Sequence, residues 1–397
     1  MKRREHLPRP VGAKRAIGWE PFIFLAVFGL IFGLLGSRMG MVNLINTLMN
    51  TAFDLLTGTV FYIMAVAVVA GALSALLSEF GVIALINRLL SPLMKPLFGL
   101  PGAASLGIMA TYLSDNPAVL ALAADKNFRR FFRRYQLPAL TNLGTSFGMG
   151  LVVTTFMAGL SGGGVVGFGK AALIGNLGAV IGSIVSTRLM IRSTRRFYGE
   201  AAEEPVEPVP EGAGDVAHNY RVVREGNVGM RCINAILDGG KTGVTLGFDI
   251  IPGVLIICSL VMILTNGPGE GGVYTGAAYE GIQLLPWLGD KLGFILKPLF
   301  GFSSPEGVAV PITALGSAGA AMGLVPSLLG TGLAGGQDVA VFTAMCMCWS
   351  GYLSTHVAMM SSLECSKLTG KAIMSHTIGG LVAGISAHWL YRLISLI

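Results

Sequence analysis

Seven stretches of this chain run for about 20 residues with almost no charge, the length an α-helix needs to cross a bilayer. They are Ile17–Gly36, Thr57–Phe80, Pro138–Leu160, Phe168–Thr187, Gly243–Leu264, Val339–Ser361 and Ala372–Leu390. Apolar residues make up 53% of the chain and charged residues 12%, where a soluble domain carries about 25% charged. So few charges cannot cover a soluble surface of this size, and the expected class is an all-α integral membrane protein with the lipid bilayer as its first partner. The formal net charge is +7, but the basic residues fall between apolar runs and form no aromatic-basic pattern, which argues against nucleic acid.

Two further apolar stretches, Gly99–Ala124 and Gly301–Pro326, are interrupted at their centres by Thr111-Tyr112-Leu113-Ser114-Asp115-Asn116-Pro117 and by Pro311-Ile312-Thr313-Ala314-Leu315-Gly316-Ser317. A polar, Pro- and Gly-broken centre predicts a re-entrant helical hairpin, which survives at that depth only when protein or a wet cavity surrounds it. Charge placement favours hairpins over spans. With both stretches as hairpins, 23 of the 28 Lys and Arg residues lie on one side, leaving Arg38, Lys170, Lys291, Lys297 and Arg392 on the other. That bias makes the crowded side cytoplasmic. The expected location is the cell's inner (plasma) membrane, with the basic start of the chain, Lys2 to Arg15, in the cytoplasm.

The strongest internal signal is self-similarity. Lys95-Pro96-Leu97-Phe98-Gly99 recurs 202 residues later as Lys297-Pro298-Leu299-Phe300-Gly301, and the same offset lays Thr111 on Thr313. Gly169-Lys170-Ala171 recurs as Gly370-Lys371-Ala372, and Phe61-Tyr62-Ile63 can be laid on Phe248-Asp249-Ile250 with a short gap. Each unit then holds one helix, a hairpin and two further helices. Three crossings per unit make the second copy enter from the opposite side, the inverted-repeat plan of many secondary transporters. The expected organisation is a basic N-terminus and first transmembrane helix (1–50), a first repeat (51–192), a cytoplasmic linker (193–235) and a second repeat (236–397). Within the linker, Gly199–Asn219 carries Glu200, Glu203, Glu204, Glu207, Glu211, Asp215, Pro205, Pro208 and Pro210, a composition that predicts disorder.

The duplicated K-P-L-F-G before a broken apolar segment resembles the Gate, or nucleoside-recognition, domain. That domain occurs in spore maturation proteins A and B and in two-Gate membrane proteins, with the membrane part of the ferrous iron transporter B and the concentrative nucleoside transporters as remoter relatives. The resemblance covers about residues 50–192 and 236–397, and it implies gate architecture rather than one cargo.

Among polar residues in these segments, Asp115 leads, because a carboxylate in a buried hairpin tip needs a partner or a cavity. Ser114 and Asn116 flank it, and Pro117 can open the second half-helix with its N–H groups toward the tip; Asp115 also suits a simple helix cap. Asp249 precedes Pro252 by three residues, and the proline frees a carbonyl one turn back. Thr111, Thr313 and Ser317 offer hydroxyls to an ion or a sugar, a role that competes with helix packing. Asn176 and His376 lie near equivalent positions of the last helix of each half, and Asn142 is a further polar residue on an apolar helix.

Other motifs fall away. Met345-Cys346-Met347-Cys348 cannot bind one ion, since helical neighbours at i and i+2 face apart, so core packing is expected and no metal. Gly239-Gly240-Lys241-Thr242 ends like a P-loop, but Ala235 stands where the first glycine is needed. The five cysteines show no disulfide spacing. With no cofactor motif and no catalytic constellation, the expected function is a transporter or channel for a small polar, nucleoside-like solute, with a coupling ion as a further partner. A non-transporting partner in envelope or spore maturation and an ion or metal permease are the alternatives. Homo-oligomerisation is left open.

Overall fold

The fold was obtained as a computed structural model, which describes residues 17–124, 126–162, 164–207 and 223–396. The basic N-terminal segment Lys2–Arg15 and the acidic residues Glu211 and Asp215 lie outside the described residues.

Among the described residues the regular structure is helical apart from a two-stranded ribbon, β1 (Ser161–Gly162) with β2 (Val165–Val166). Helix α1 spans Glu20–Met39, and α2 runs unbroken over Met41–Glu79 through a π-helical stretch at Leu55–Val60. The sequence reading started α2 at Thr57. Its first turns, Met41–Asp54, are amphipathic rather than uniformly apolar, which hides them from a hydropathy count. Next comes α3 (Val82–Leu93), prolonged by a π stretch at Met94–Phe98. The hairpin arms α4 (Ala104–Leu113) and α5 (Pro117–Ala124) follow, then α6 (Ala139–Thr145), α7 (Gly150–Gly159) and α8 (Gly169–Tyr198).

The second half repeats this order. Helix α9 spans Val228–Thr265 with a π stretch at Gly253–Cys258. Two short helices, α10 (Leu284–Lys291) and α11 (Gly293–Phe300), lead to the arms α12 (Ala309–Ala314) and α13 (Ala318–Gly330). The half closes with α14 (Gly336–Cys348), α15 (Tyr352–Ser362) and α16 (Thr369–Ser395). Each half therefore holds an additional helical segment before its hairpin, α3 in the first and α10–α11 in the second. Helices α1, α2, α8 and α9 are long and apolar enough to cross a membrane, and the chain is a multi-pass membrane protein.

Backbone conformation carries the repeat more widely than side-chain identity does. Left-handed backbone recurs at an offset of 202 residues, at Gly81 and Gln283, Gly99 and Gly301, and Met149 and Gly351. Gly99 and Gly301 end their helices in this conformation, the usual C-terminal stop. The two π stretches put Phe61 opposite Ser259, so the register laying Phe61 on Phe248 is not the one the folded helices share.

The two halves run in opposite directions. Along α8 and α16, a Cβ on Gly178 would meet Ala383 and Ala387, one on Gly182 would meet Gly379 and Ala383, and Ser186 reaches His376. One number rises as the other falls, so these equivalent helices are antiparallel. The pair α2 and α9 behaves the same way, from Met64 against Gly247 to Glu79 against Arg231. Equivalent helices can pack antiparallel only when one half is inverted relative to the other. Small residues four apart make both contacts: Gly178, Gly182 and Ser186 against Gly379, Ala383 and Ala387, and Ala67, Gly71 and Ala75 against Gly239 and Gly243. A Cβ on Gly71 would stand 2.4 Å from the Gly239 carbonyl oxygen. In lipid, where apolar side chains gain little from meeting one another, such close backbone approach is a main source of helix association.

The start of the connection between halves, residues 199–207, departs from the expected disorder, while residues 208–219 lie outside the described residues. Residues Gly199–Glu203 form a 3-10 turn, and Arg133 pairs with Pro205 as an isolated β-bridge. Arg133–Glu203, Arg134–Glu204, Arg129–Glu207 and Arg195–Glu203 are ion pairs. The acidic composition that suggests disorder is neutralised by arginines the fold brings alongside. At its far end the linker rejoins the bundle where Arg224 and Arg231 bind the Glu79 carboxylate at 2.8 and 2.7 Å.

Candidate functional site

Four interruptions of helix meet at the centre. The tip Ser114-Asp115-Asn116 separates α4 from α5, and Leu315-Gly316-Ser317 separates α12 from α13. The first arm is 10 residues long, about 15 Å at 1.5 Å per residue, half of a hydrocarbon core of about 30 Å. It folds back on its partner, since a Cβ on Gly107 would stand 3.3 Å from Val119; a straight helix would hold those positions about 18 Å apart. The other two interruptions were expected to be continuous spans. Pro138–Leu160 breaks at Ser146–Met149 between α6 and α7, and Val339–Ser361 breaks at Trp349–Gly351 between α14 and α15. Neither break has a proline. Both turn on a left-handed residue, Met149 at φ 52° and Gly351 at φ 57°.

Contacts tie the breaks together. The Asn116 side-chain amide donates to the Ser350 carbonyl at 2.6 Å, and the Gly351 N–H donates to the Ala314 carbonyl at 3.2 Å. A Cβ on Gly148 would meet Asn116 at 2.4 Å and Ser350 at 2.8 Å. Hence Gly148 is required for the first tip to reach the second half's break. Asn116 Oδ1 is buried, with no hydrogen-bond partner among the described residues.

Beside this junction lies a cavity of about 360 Å³, lined by Ser114, Asp115 and Ala118 of the first hairpin, Ala67 and Gly71 of α2, Val152 of α7, and Thr242, Gly243, Thr245, Leu246 and Asp249 of α9. Asp115 and Asp249, carboxylates from opposite halves, thus face one space. The Asp115 carboxylate accepts the Asn116 N–H at 2.7 Å, and the Asp115 carbonyl accepts the Ala118 N–H at 2.9 Å, so the residue also shapes the turn into α5. Asp249 was expected near the start of its helix. It lies deep within α9, which begins at Val228, and Pro252 ends the α-helical stretch just before the π turn. A second cavity of about 350 Å³ shares Gly71, Leu113, Ser114 and Thr242, and continues past Ser74, Ser78 and Asn87. The two form a route with polar hydroxyl and amide groups from the tip toward the Glu79 end of α2.

The remaining candidates divide. Thr111 donates to the Gly107 and Ile108 carbonyls and Thr313 to the Ala309 carbonyl, so each hydroxyl proton is held within its own helix. Ser317 caps α13 by accepting the Ala320 N–H, and it approaches Gly253. Asn176 donates to Thr154 Oγ1, which contacts the Tyr112 hydroxyl next to the first tip. His376 lies behind the second break: its Nε2–H donates to the Cys348 carbonyl, so Nδ1 accepts from Ser186, whose hydroxyl oxygen accepts from Asn142. The His356 ring lies against that of His376, tilted by 46° with centroids 4.6 Å apart. Met345, Cys346, Met347 and Cys348 are all core. Thr242 and Thr245 were missed by sequence reasoning, although their spacing to Asp249 puts all three on one helix face.

Comparisons bear on this arrangement. An uncharacterized protein of Alkalihalophilus pseudofirmus is 25% identical over 231 residues, covering 55% of this chain and 47% of that protein. The matched stretch therefore spans about half the length of that relative. Among solved structures, CNTnw in an inward-facing substrate-bound state aligns over 96% of this chain and 94% of its own, at 13% identity and a TM-score of 0.47. A doubly substituted CNTnw in an outward-facing state aligns over the same shares at 15% identity and a TM-score of 0.46. The first hairpin, its tip and the broken helix that follows lie within residues 60–161, which match the Gate family, described as nucleoside recognition.

Proposed function

We propose that this chain is a membrane transporter that binds a small polar, nucleoside-like solute between its two halves, beside the first hairpin tip. The observation that carries the reading is the shared cavity: Asp115 from the first half and Asp249 from the second face about 360 Å³ of space. That volume falls within the range of about 300–1,000 Å³ typical of small-molecule sites. Carboxylates at this depth are costly unless they serve a ligand or an ion. Ser114, Thr242 and Thr245 line the cavity with hydroxyl oxygens that can accept from a sugar or base edge, the Thr242 and Thr245 protons being held by the Asp238 and Lys241 carbonyls. A coupling cation between the two carboxylates would offset their charge. The Gate match over residues 60–161 supports the solute class, since that family is described by nucleoside recognition.

In this reading residues 51–192 and 236–397 are the two inverted gate units and 193–235 joins them on one face. The N-terminus and that linker are cytoplasmic, in the plasma membrane. Alternating access follows from the inversion, because either hairpin can open the site toward its own side. The test is a titration of the purified protein with purine and pyrimidine nucleosides, followed by heat of binding. Saturable binding of at least one, weakened at least tenfold by Asp115→Asn, is expected; no binding of any nucleoside contradicts the solute class.

A further inference from the structure

A further cavity lies at the base of the first hairpin rather than at its tip. It measures about 510 Å³ and is lined by Gly99 with Ile184, Val185, Arg188, Leu189, Ile191, Arg192 and Arg195 of α8. The three arginines differ in what they do. Arg188 donates to the Leu97 carbonyl at 2.8 Å and to the Pro96 carbonyl, closing the C-terminal end of the segment after α3. Arg195 donates to the Tyr135 hydroxyl, stacks over that ring at 4.2 Å and pairs with Glu203 at 3.3 Å. Arg192 is exposed and has no hydrogen-bond or ion-pair partner among the described residues.

Polarity changes along this groove in one direction. The face of α8 that leads into it carries Leu173, Leu177 and Ile181, which are 64%, 51% and 37% exposed. They are spaced four residues apart, and the stripe continues into Ile184 and Val185 and then Arg188 and Arg192. Eight residues from Ile184 to Arg192 span about 12 Å of helix. An exposed apolar stripe that runs into a basic recess has the polarity of a phospholipid, acyl chain first and phosphate last. The second half has no counterpart, because at the 201-residue offset of α8 and α16 Trp389 and Leu393 stand in the places of Arg188 and Arg192.

We propose that this groove binds the phosphate of an anionic phospholipid, with Arg192 and Arg195 at the headgroup and an acyl chain along Ile184 and Ile181. Arginines near a membrane surface recognise anionic headgroups by charge and by forked hydrogen bonds to phosphate oxygens. The lipid would brace α8 against the segment carrying Gly99, and so hold the base of the first hairpin.

The test is native mass spectrometry of the intact protein released from micelles containing equal amounts of phosphatidylglycerol and phosphatidylcholine. Retention of phosphatidylglycerol over phosphatidylcholine is expected, and Arg192→Gln should lower it by about fivefold, the effect of one arginine near such a surface. Arg192→Lys should restore part of it, and Arg38→Gln, on α1, should leave it unchanged. Arg192 holds no partner among the described residues, so thermal unfolding of Arg192→Gln should match the wild type. Equal retention of the two lipids, or equal phosphatidylglycerol retention by Arg192→Gln, would overturn the proposal. So would its displacement by millimolar inorganic phosphate, which would mark a site for free phosphate instead.

Discussion

The Asn116 amide donates to the Ser350 carbonyl at 2.6 Å and so joins the first hairpin tip to a helix break 234 residues away. A carbonyl released by a helix break needs a partner when water is absent, and Asn116 supplies it. Asn116→Leu keeps the size and removes the donor. The expected cost is about 1–3 kcal/mol, that of leaving one buried acceptor unsatisfied, read as a lowered midpoint of unfolding in detergent. An unchanged midpoint would mean that the two halves do not depend on this contact.

Backbone approach between α2 and α9 gives a sharper test, because adjacent glycines differ. A Cβ on Gly239 would stand 2.3 Å from the Gly71 carbonyl oxygen, whereas one on Gly240 would meet Val68 at an ordinary 3.6 Å. Gly239→Ala should force the helices apart and destabilise by about 1–3 kcal/mol. Gly240→Ala should be neutral or slightly stabilising, since alanine is the better helix former. Thermal unfolding of the two variants side by side decides the matter; equal effects would contradict the close antiparallel packing.

Glu280 provides the pH dependence. It lies in the loop between α9 and α10, which docks on the start of α2 through Asn43 to the Tyr274 carbonyl and Asn50 to the Gly276 carbonyl. Burial raises the Glu280 pKa. Hydrogen bonds from the Thr275 hydroxyl and N–H and from the Gly276 N–H outweigh that, holding it below the ordinary 4.5. A depressed carboxylate stabilises the fold above its unfolded pKa, and that contribution is lost as pH falls through the folded value. Hydrogen exchange in residues 266–283 should therefore be faster in Glu280→Gln than in the wild type at pH 7. The difference should shrink as the pH drops below the ordinary carboxylate value; a constant difference across that range would contradict it.

Two sets of ion pairs at the linker ends should behave differently. Glu203 and Glu204 are exposed with their arginines, and such pairs contribute little in water. Glu79 is buried at 3% exposure between Arg224 and Arg231, and removing its charge takes away the carboxylate they share, leaving Arg224 its ion pair with Asp238. Glu203→Gln should leave the unfolding midpoint unchanged, and Glu79→Gln should lower it. A larger effect at Glu203 would reverse that assignment.

What the sequence discloses here follows from where the cause of each feature lies. The tips are legible because Pro117 and the polar residues around Asp115 are local signals in an apolar run, and Gly316 and Ser317 interrupt the second run in their own way. Breaks at Met149 and Gly351 are not legible from hydropathy, because no proline marks them. They arise where Asn116 crowds Gly148 and where Gly351 meets Ala314, which are tertiary contacts. Thr242 and Thr245 stay hidden for a related reason. A reading from hydropathy starts the helix at Gly243, but Gly239, Gly243 and Gly247 are helical residues that let α2 approach. The ordered stretch after Tyr198 is acidic enough to suggest disorder until the fold sets Arg129, Arg133, Arg134 and Arg195 against it.

The central claim is that Asp115 and Asp249 face one solute site between inverted halves. It is tested most directly by uptake of radiolabelled nucleosides into proteoliposomes containing the wild type, Asp115→Asn or Asp249→Asn. Uptake by the wild type is expected, with a fall of about 10- to 100-fold in initial rate for each variant, the loss of a charged hydrogen-bond partner, and with unfolding midpoints preserved. Wild-type rates in both variants for every solute taken up would contradict it.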